Sequence, residues 1–192
     1  MTSYNPNSHP TEILVAEHEV ICCVLTAVDC EADRLNAGAP LDPSFWDSAC
    51  QFFAGFADRC HHDKEEVILF PALGNAGLPL EDGPVACLLD EHEDGRRLNR
   101  AMREATVSAN RAALQDSARR FSRLLRQHID KENQVLFQMA RRMIKAEAEQ
   151  QLRAGFEEAR AADRLSGATE TYLALARALC AKAGTPAPAA LD

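Results

Sequence analysis

Two stretches of the chain repeat one chemical order. Residues 61–70 read His61-His62-Asp63-Lys64-Glu65-Glu66-Val67-Ile68-Leu69-Phe70, and residues 128–137 read His128-Ile129-Asp130-Lys131-Glu132-Asn133-Gln134-Val135-Leu136-Phe137. Both are H-x-D-K-E trailed by Leu-Phe. On a helix, side chains four apart stack on one face, one turn from each other. His61 with Glu65, and His128 with Glu132, can therefore each present an imidazole nitrogen and a carboxylate to one place. One such helix supplies a terminal nitrogen and a bridging carboxylate to a pair of metal ions, and two helices supply two bridges. A single H-x-x-x-E is commonly an ion pair in water. Two near-identical copies on apolar faces point to metal chemistry.

Long amphipathic helices must hold these residues. Residues 1–10 are polar, carry two prolines and read as a flexible arm. A first helical pattern runs from about Thr11 to Leu35 and is broken by Asn36-Ala37-Gly38-Ala39-Pro40. Asp42-Pro43 is a helix start: a capping acceptor, then a ring that needs no amide hydrogen. The second helix runs to about Leu73, with Pro71 near its end. Gly74, Gly77 and Pro79 form a loop, and Asp82-Gly83-Pro84 opens a third helix that reaches about Val107. After Ser108 to Asn110, a fourth runs from about Arg111 to Ala148. Residues 151–183 read as one or two further helices, broken near Ser166-Gly167, and 184–192 as a disordered tail. Four long helices with short connections predict an all-α, up-down-up-down four-helix bundle over residues 11–150, with a C-terminal helical extension over 151–183.

Helical periodicity assigns the inward faces. Ala54, Ala57, Glu65, Ile68 and Ala72 fall within about 40° of His61, and Phe121, Leu124, Glu132, Val135 and Met139 within about 40° of His128. Leu14, Cys22 and Leu25 flank His18 on the first helix; Val85, Leu88 and Leu89 flank His92 on the third. Each long helix thus carries a histidine in its apolar stripe. A lone histidine there is ordinarily a core residue with a satisfied hydrogen bond. Four of them with two carboxylates pose a larger problem, because each buried polar group without a partner costs roughly 1–3 kcal/mol. A shared metal centre satisfies them together.

Composition bounds the rest. The 192 residues suit one domain with a modest extension, and 46% hydrophobic with 26% charged residues allow a real core. A formal net charge of −8 argues against binding nucleic acid through its phosphates. No apolar run is long enough to span a membrane, and the first six residues lack the layout of an export signal. Seven cysteines, an odd number with no C-x-x-C pair, form no zinc-knuckle or thioredoxin-type motif. They read as reduced thiols of a cytoplasmic protein.

Taken as a set, His18, the His61/Glu65 pair with Leu69-Phe70-Pro71, Glu91-His92 and the His128/Glu132 pair resemble the hemerythrin-like (HHE cation-binding) family over about residues 11–145. The resemblance implies a non-haem di-iron centre inside a four-helix bundle. The family's oxygen carriers use five histidines and two bridging carboxylates, with two histidines at i and i+4 on the third helix. Here the second of those positions is Arg96, which cannot ligate. His62 can make up the number, lying about 100° from His61 and about 60° from Glu65 at the edge of the same face. The implied ligand set is then His18, His61, His62, His92 and His128 with Glu65 and Glu132, around two iron ions joined by an oxo or hydroxo bridge. Of twelve octahedral positions this leaves one open, where a small diatomic or a peroxide can bind. The departure at Arg96 argues against reversible oxygen carriage. Histidine-rich ligation without E-x-x-H spacing also separates the site from the ferritin-like class. Imidazole with carboxylate suits iron, and also admits zinc or manganese.

Neighbouring residues carry alternative readings. Glu66 lies about 140° from His61, off the apolar stripe, and its counterpart in the second copy is Asn133. Glu65 is therefore the preferred carboxylate, and Glu66 an extra ligand or a support. Gly95, three residues past His92, sits where glycine costs about 0.5–1 kcal/mol against alanine. It either opens space for a bound gas or permits tight helix packing. Arg96 either steadies a carboxylate or a bound peroxide, or is an ordinary surface residue. Cys22 is either redox-active or simply a small buried residue. Asp58, one turn before His62, can orient that imidazole. His9 lies in the polar arm, outside the set. Two functions fit: a binder or sensor of O2, NO or peroxide, and an oxidoreductase that disproportionates peroxide in a catalase-like way or reduces NO. The extension carries no ligand-like residues and either covers the bundle or joins a homodimer.

Overall fold

The computed structural model describes residues 9–189 and Leu191; the arm expected at the N-terminus lies outside the described residues as far as residue 8. The described residues are all-helical. Six helices follow one another: α1 (Glu12–Asn36), α2 (residues 43–75), α3 (Pro84–Val107), α4 (residues 111–143), α5 (Ala146–Leu165) and α6 (Ala168–Ala183). Helix α1 packs on α4 and α6, α3 packs on α2 and α4, and α6 also lies on α2. None of these helices is long and apolar enough to cross a membrane.

Local chemistry sets the helix starts. Asp42 accepts hydrogen bonds from the Ser44 and Phe45 amides at 3.1 and 3.3 Å, with Pro43 in the first turn. Lys182 of α6 pairs with the same carboxylate and ties the end of the chain to the start of α2. The Lys182 and Ser44 hydrogen bonds hold the Asp42 pKa down at about 2. Asn110 caps α4 through the Ala113 amide at 3.1 Å, after Ala109 makes the turn at a φ of 52°.

One boundary differs from expectation. The fourth helix does not reach Ala148 but ends at Met143, and α5 begins at Ala146. Ile144 adopts extended backbone, with ψ of 116°, and buries its side chain beside Leu152 and Phe156 of α5. Burial of one apolar side chain therefore makes the corner, with no glycine or proline to mark it.

The inward faces also differ, in a regular way. Three stretches are wound as π-helix: Phe53–His62, Glu65–Leu69 and Glu132–Leu136. The Phe70 amide reaches the Glu65 carbonyl, and the Phe137 amide the Glu132 carbonyl, five residues back instead of four. Each wide turn slips the phase by one residue. Leu69, Leu73, Leu136 and Ala140, at 0–1% exposure, hold the positions expected of Ile68, Ala72, Val135 and Met139, and Val135 is 50% exposed. Before the histidines, Phe53 is buried and Ala54 exposed.

Two apolar clusters result. The larger joins α1, α2, α3, α4 and α6 around Phe45, Trp46, Phe52 and Met102. The smaller holds Leu14, Leu69, Phe70, Leu88, Phe137 and Phe156. Gly55 lets α6 approach α2, since a Cβ there would stand 2.1 Å from the Tyr172 ring. Alanine for glycine within a helix ordinarily stabilises by about 0.5–1 kcal/mol. Gly55→Ala is instead expected to lower stability by about 1–3 kcal/mol through overpacking, and to stabilise in a Tyr172→Ala background. Urea unfolding of the four proteins reads both signs.

Candidate metal centre

Between the two apolar clusters lies a layer of seven polar side chains: His18, His61, His62, Glu65, His92, His128 and Glu132. None is more than 5% exposed. They come from all four of the long helices α1 to α4, and the structure brings together every residue expected from the sequence. The donors form two groups, His18, His61, Glu65 and Glu132 in one and His62, Glu65, His92 and His128 in the other, each within a 4.8 Å spread.

The carboxylates link the groups. Glu65 turns Oε1 toward His61 Nε2 at 3.6 Å and Oε2 toward His92 Nε2 at 3.5 Å. Glu132 turns Oε2 toward His18 Nε2 at 3.2 Å and Oε1 toward His128 Nε2 at 3.3 Å. Glu65 thus belongs to both groups, and Glu132, a member of the first, also reaches His128 of the second. With metal–nitrogen bonds of about 2.1 Å, adjacent donors on an octahedron stand about 3.0 Å apart, close to these separations. The Nε2 atoms of His92 and His128 face each other at 3.1 Å.

The inward atoms lack partners. Both oxygens of Glu65, both of Glu132, and Nε2 of His18, His61 and His62 are buried without a hydrogen bond. A charged carboxylate with no hydrogen bond is among the most expensive things a core can hold. Nitrogen and oxygen lone pairs aimed at a common point are a donor set for a cation of intermediate hardness. The residues present fit a metal.

The outward nitrogens, by contrast, are held. Glu17 takes His61 Nδ1 at 2.9 Å, Glu66 takes His92 Nδ1 at 2.6 Å, Glu91 takes His128 Nδ1 at 3.1 Å and Asn133 takes His18 Nδ1 at 3.0 Å. Asp58 stands 3.5 Å from His62 Nδ1. With Nδ1–H of His18, His61, His92 and His128 donating outward, their Nε2 atoms face the layer and are the ones left to bind a metal once any proton on them leaves, the arrangement by which proteins fix metal-binding imidazoles. Glu66 therefore lies outside the layer as a brace for His92, while Glu65 lies inside it. Arg96 donates to Asp58 at 2.8 Å, Glu66 at 2.7 Å and Glu93 at 2.6 Å. It steadies carboxylates and is no idle surface residue. Cys22 packs against the larger core with its thiol pushed up by burial, which suits the packing reading. His9 bonds Thr11 at 2.9 Å, away from the layer.

Sequence reasoning missed the lysines. In the first copy of the motif, buried Lys64 pairs with Glu17, the carboxylate that holds His61, at 3.1 Å. In the second, Lys131 pairs with Glu91, the carboxylate that holds His128. The lysine three residues after each histidine thus anchors that histidine's own brace. Its recurrence in both copies was the available signal.

Electrostatics couple the carboxylates and the imidazoles of the layer closely. Burial and the Glu132 charge push Glu65 up to about 7. Burial opposes protonation of His128, but Glu132, Glu91 and Glu65 outweigh it and carry the imidazole up to about 10. His61 and His62 are driven well below the usual range by burial and by neighbouring imidazoles.

The hemerythrin HHE cation binding domain matches residues 9–140. The chain belongs to this family. Comparison with curated proteins and with solved structures returned no match. As a hemerythrin-type domain the chain is a cation binder, and its histidines and glutamates form groups able to hold metal.

Removing one partner of a buried ion pair costs about 3–5 kcal/mol. Lys64→Met is expected to lose stability of that order by leaving Glu17 uncompensated. Adding Glu17→Gln, which keeps an acceptor for His61 without the charge, should restore a large part. A double-mutant cycle by urea unfolding measures the coupling.

Proposed function

We propose that this hemerythrin-family protein is a non-haem di-iron protein that binds O2, NO or peroxide and serves in sensing or handling them. The observation that carries the reading is the pair of donor groups joined by two carboxylates, each offering one oxygen to either side. His18 and His61 would hold one iron, His62, His92 and His128 the other, with Glu65 and Glu132 between them. Bound there, two irons supply a redox-active centre with an open position for the small ligand. The side with two imidazoles, where Phe137 stacks on His18 at 5.7 Å between ring centroids, would offer one protein donor fewer than the other. Helices α1 to α4 form the bundle proper in this reading, and α5 with α6 the extension that covers it. All seven cysteines are free, which suits a reducing cytoplasm.

The chain's own groups set the proton balance. With its pKa raised to about 10, His128 holds a proton at pH 7 before it ligates, and Glu65, pushed up to about 7 by burial and the Glu132 charge, holds one far more readily than an ordinary glutamate. Ligation requires neutral imidazole and ionised carboxylate, so these protons must leave. Titrating iron into metal-free protein in weak buffer at pH 7 is expected to release protons; uptake without release would contradict the assignment of these two groups.

The decisive test is the iron content and absorption of the loaded protein. Two irons per chain and a near-ultraviolet band that shifts when azide is added are expected. His128→Ala should lose most of the iron, and unchanged content in that variant would remove α4 from the site. Added peroxide then separates two roles: a stoichiometric colour change marks a binder, whereas sustained O2 release marks a catalase-like enzyme.

A further inference from the structure

The imidazoles of the metal layer are not held alike. His18, His61, His92 and His128 each have Nδ1 in a hydrogen bond of 2.6–3.1 Å, to Asn133, Glu17, Glu66 and Glu91. His62 has neither ring nitrogen hydrogen-bonded. Asp58 stands 3.5 Å from its Nδ1, and the same carboxylate oxygen is taken by Arg96 Nε at 2.8 Å. We propose that His62 is an exchangeable donor: its ring leaves the layer for the cavity beside Gly95 and returns, and while it is out a ligand position stands open beside His92 and His128. This rests on the two-metal reading of the layer and gives that site a second position for the small ligand.

The structure provides the room. Helices α2, α3 and α4 enclose a cavity of about 160 Å³ beside the layer, and His62 forms part of its wall. An apolar protein cavity of about 150 Å³ binds benzene, a larger ring than imidazole. Phe53, Ala57, Phe121 and Leu125 line the space, and it opens to solvent past Ala54 and Arg100. Gly95 keeps it clear. A Cβ there would find only Phe121 Cε2, at 4.0 Å, so the glycine is not required by helix packing. Of its two readings, open space is the one the geometry favours. His62 is the one imidazole of the layer that lines this cavity, and Asp58 lines it too. The carboxylate nearest the ring thus borders both of its places.

Backbone and neighbours single out the same residue. On an α-helix adjacent side chains diverge by about 100°, and His61 already faces the layer with its Nδ1 on Glu17. The π-wound stretch Phe53–His62 brings the next ring in as well, and His62 is its last residue. The His92 ring lies over His62 at 3.8 Å between centroids and 14°. Stacking sets the plane of a ring but gives neither nitrogen a directional bond. Ligation is therefore the one directional contact left to His62, and the ring breaks no hydrogen bond when it leaves. His92 and His128 stay behind, held by Glu66 and Glu91. A small ligand entering through the cavity arrives at the place the ring has vacated.

Labelling with diethyl pyrocarbonate, read residue by residue by peptide mass spectrometry, tests this on the chain itself. A neutral imidazole bound to metal has no lone pair left to react, since one nitrogen ligates and the other carries the proton. Metal-free protein is compared with iron-loaded and zinc-loaded protein. Metal is expected to stop labelling of His18, His61, His92 and His128 but to slow that of His62 only about tenfold, because the rate follows the fraction of time the ring spends free. Gly95→Leu fills the cavity and should give His62 the full protection of the other four, with metal content and helicity by circular dichroism retained. Full protection of His62 in the unaltered loaded protein would make it a fixed donor and overturn the proposal. A rate that metal leaves unchanged would show that His62 never ligates, and would overturn it equally. So would undiminished labelling of His62 in loaded Gly95→Leu. Uptake of zinc but not iron would sink the proposed function, and the zinc-loaded protein would still decide on His62. Uptake of neither metal would sink both.

Discussion

Two buried carboxylates without a hydrogen bond between them govern this molecule. Glu65 and Glu132 are fully enclosed, and their four oxygens find only imidazole edges. A core does not tolerate such charge unless something positive stands beside it. Without metal, protons on His128 and Glu65 supply that charge; a cation supplies it better, because it reaches all the lone pairs at once. The need fixes the height of each helix. Every one of α1 to α4 must put its histidine in the same layer, between the cluster around Trp46 and the cluster around Phe137. A slip of one residue along any rod would withdraw a donor and bury a mismatched face.

The braces make that register cooperative. Glu17 of α1 holds His61 of α2, Glu66 of α2 holds His92 of α3, Glu91 of α3 holds His128 of α4, and Asn133 of α4 holds His18 of α1. The four contacts close a ring around the bundle. Each brace is the sequence neighbour of a donor on its own helix: Glu17 beside His18, Glu66 beside Glu65, Glu91 beside His92, Asn133 beside Glu132. On a helix, adjacent residues diverge by about 100°. One residue can therefore face the layer while the next reaches sideways to the neighbouring rod. The ring orients the imidazoles before any metal arrives, which lessens the ordering that binding must impose.

Much of this was legible in the sequence, for identifiable reasons. The repeated H-x-D-K-E survives any error in helix phase, because i to i+4 stacking is local. Asp42-Pro43 announced α2 because capping is also local. What failed was extrapolation over distance. A constant 100° per residue carried the inward face from His128 to Val135, but the wide turn at Glu132–Leu136 gives that place to Leu136. The same error placed His62 only at the edge of its face. Within the π-wound stretch Phe53–His62 both imidazoles enter the layer, with ring centroids 5.6 Å apart. Single-turn π insertions arise from tertiary demands and often mark functional sites; no residue type announces them. The corner at Ile144 was hidden for a related reason: it depends on α5 being there to receive the side chain.

The two copies of the motif end in different surroundings, and the difference separates the two sides of the layer. Lys64 is sealed, touching Glu17 and, at 3.7 Å, Asp163 of α5 in the C-terminal extension. Lys131 remains 46% exposed over Glu91. The extension therefore reaches the layer through a buried charge, on the side of His18 and His61. The other side is adjusted by Arg96. Where a second imidazole would project from α3, a guanidinium instead binds Asp58 and Glu66, the carboxylates beside His62 and His92. Arg96 thus ties together the carboxylates beside His62 of α2 and His92 of α3, so that the two imidazoles, stacked at 3.8 Å between ring centroids, are held from outside the layer by one guanidinium.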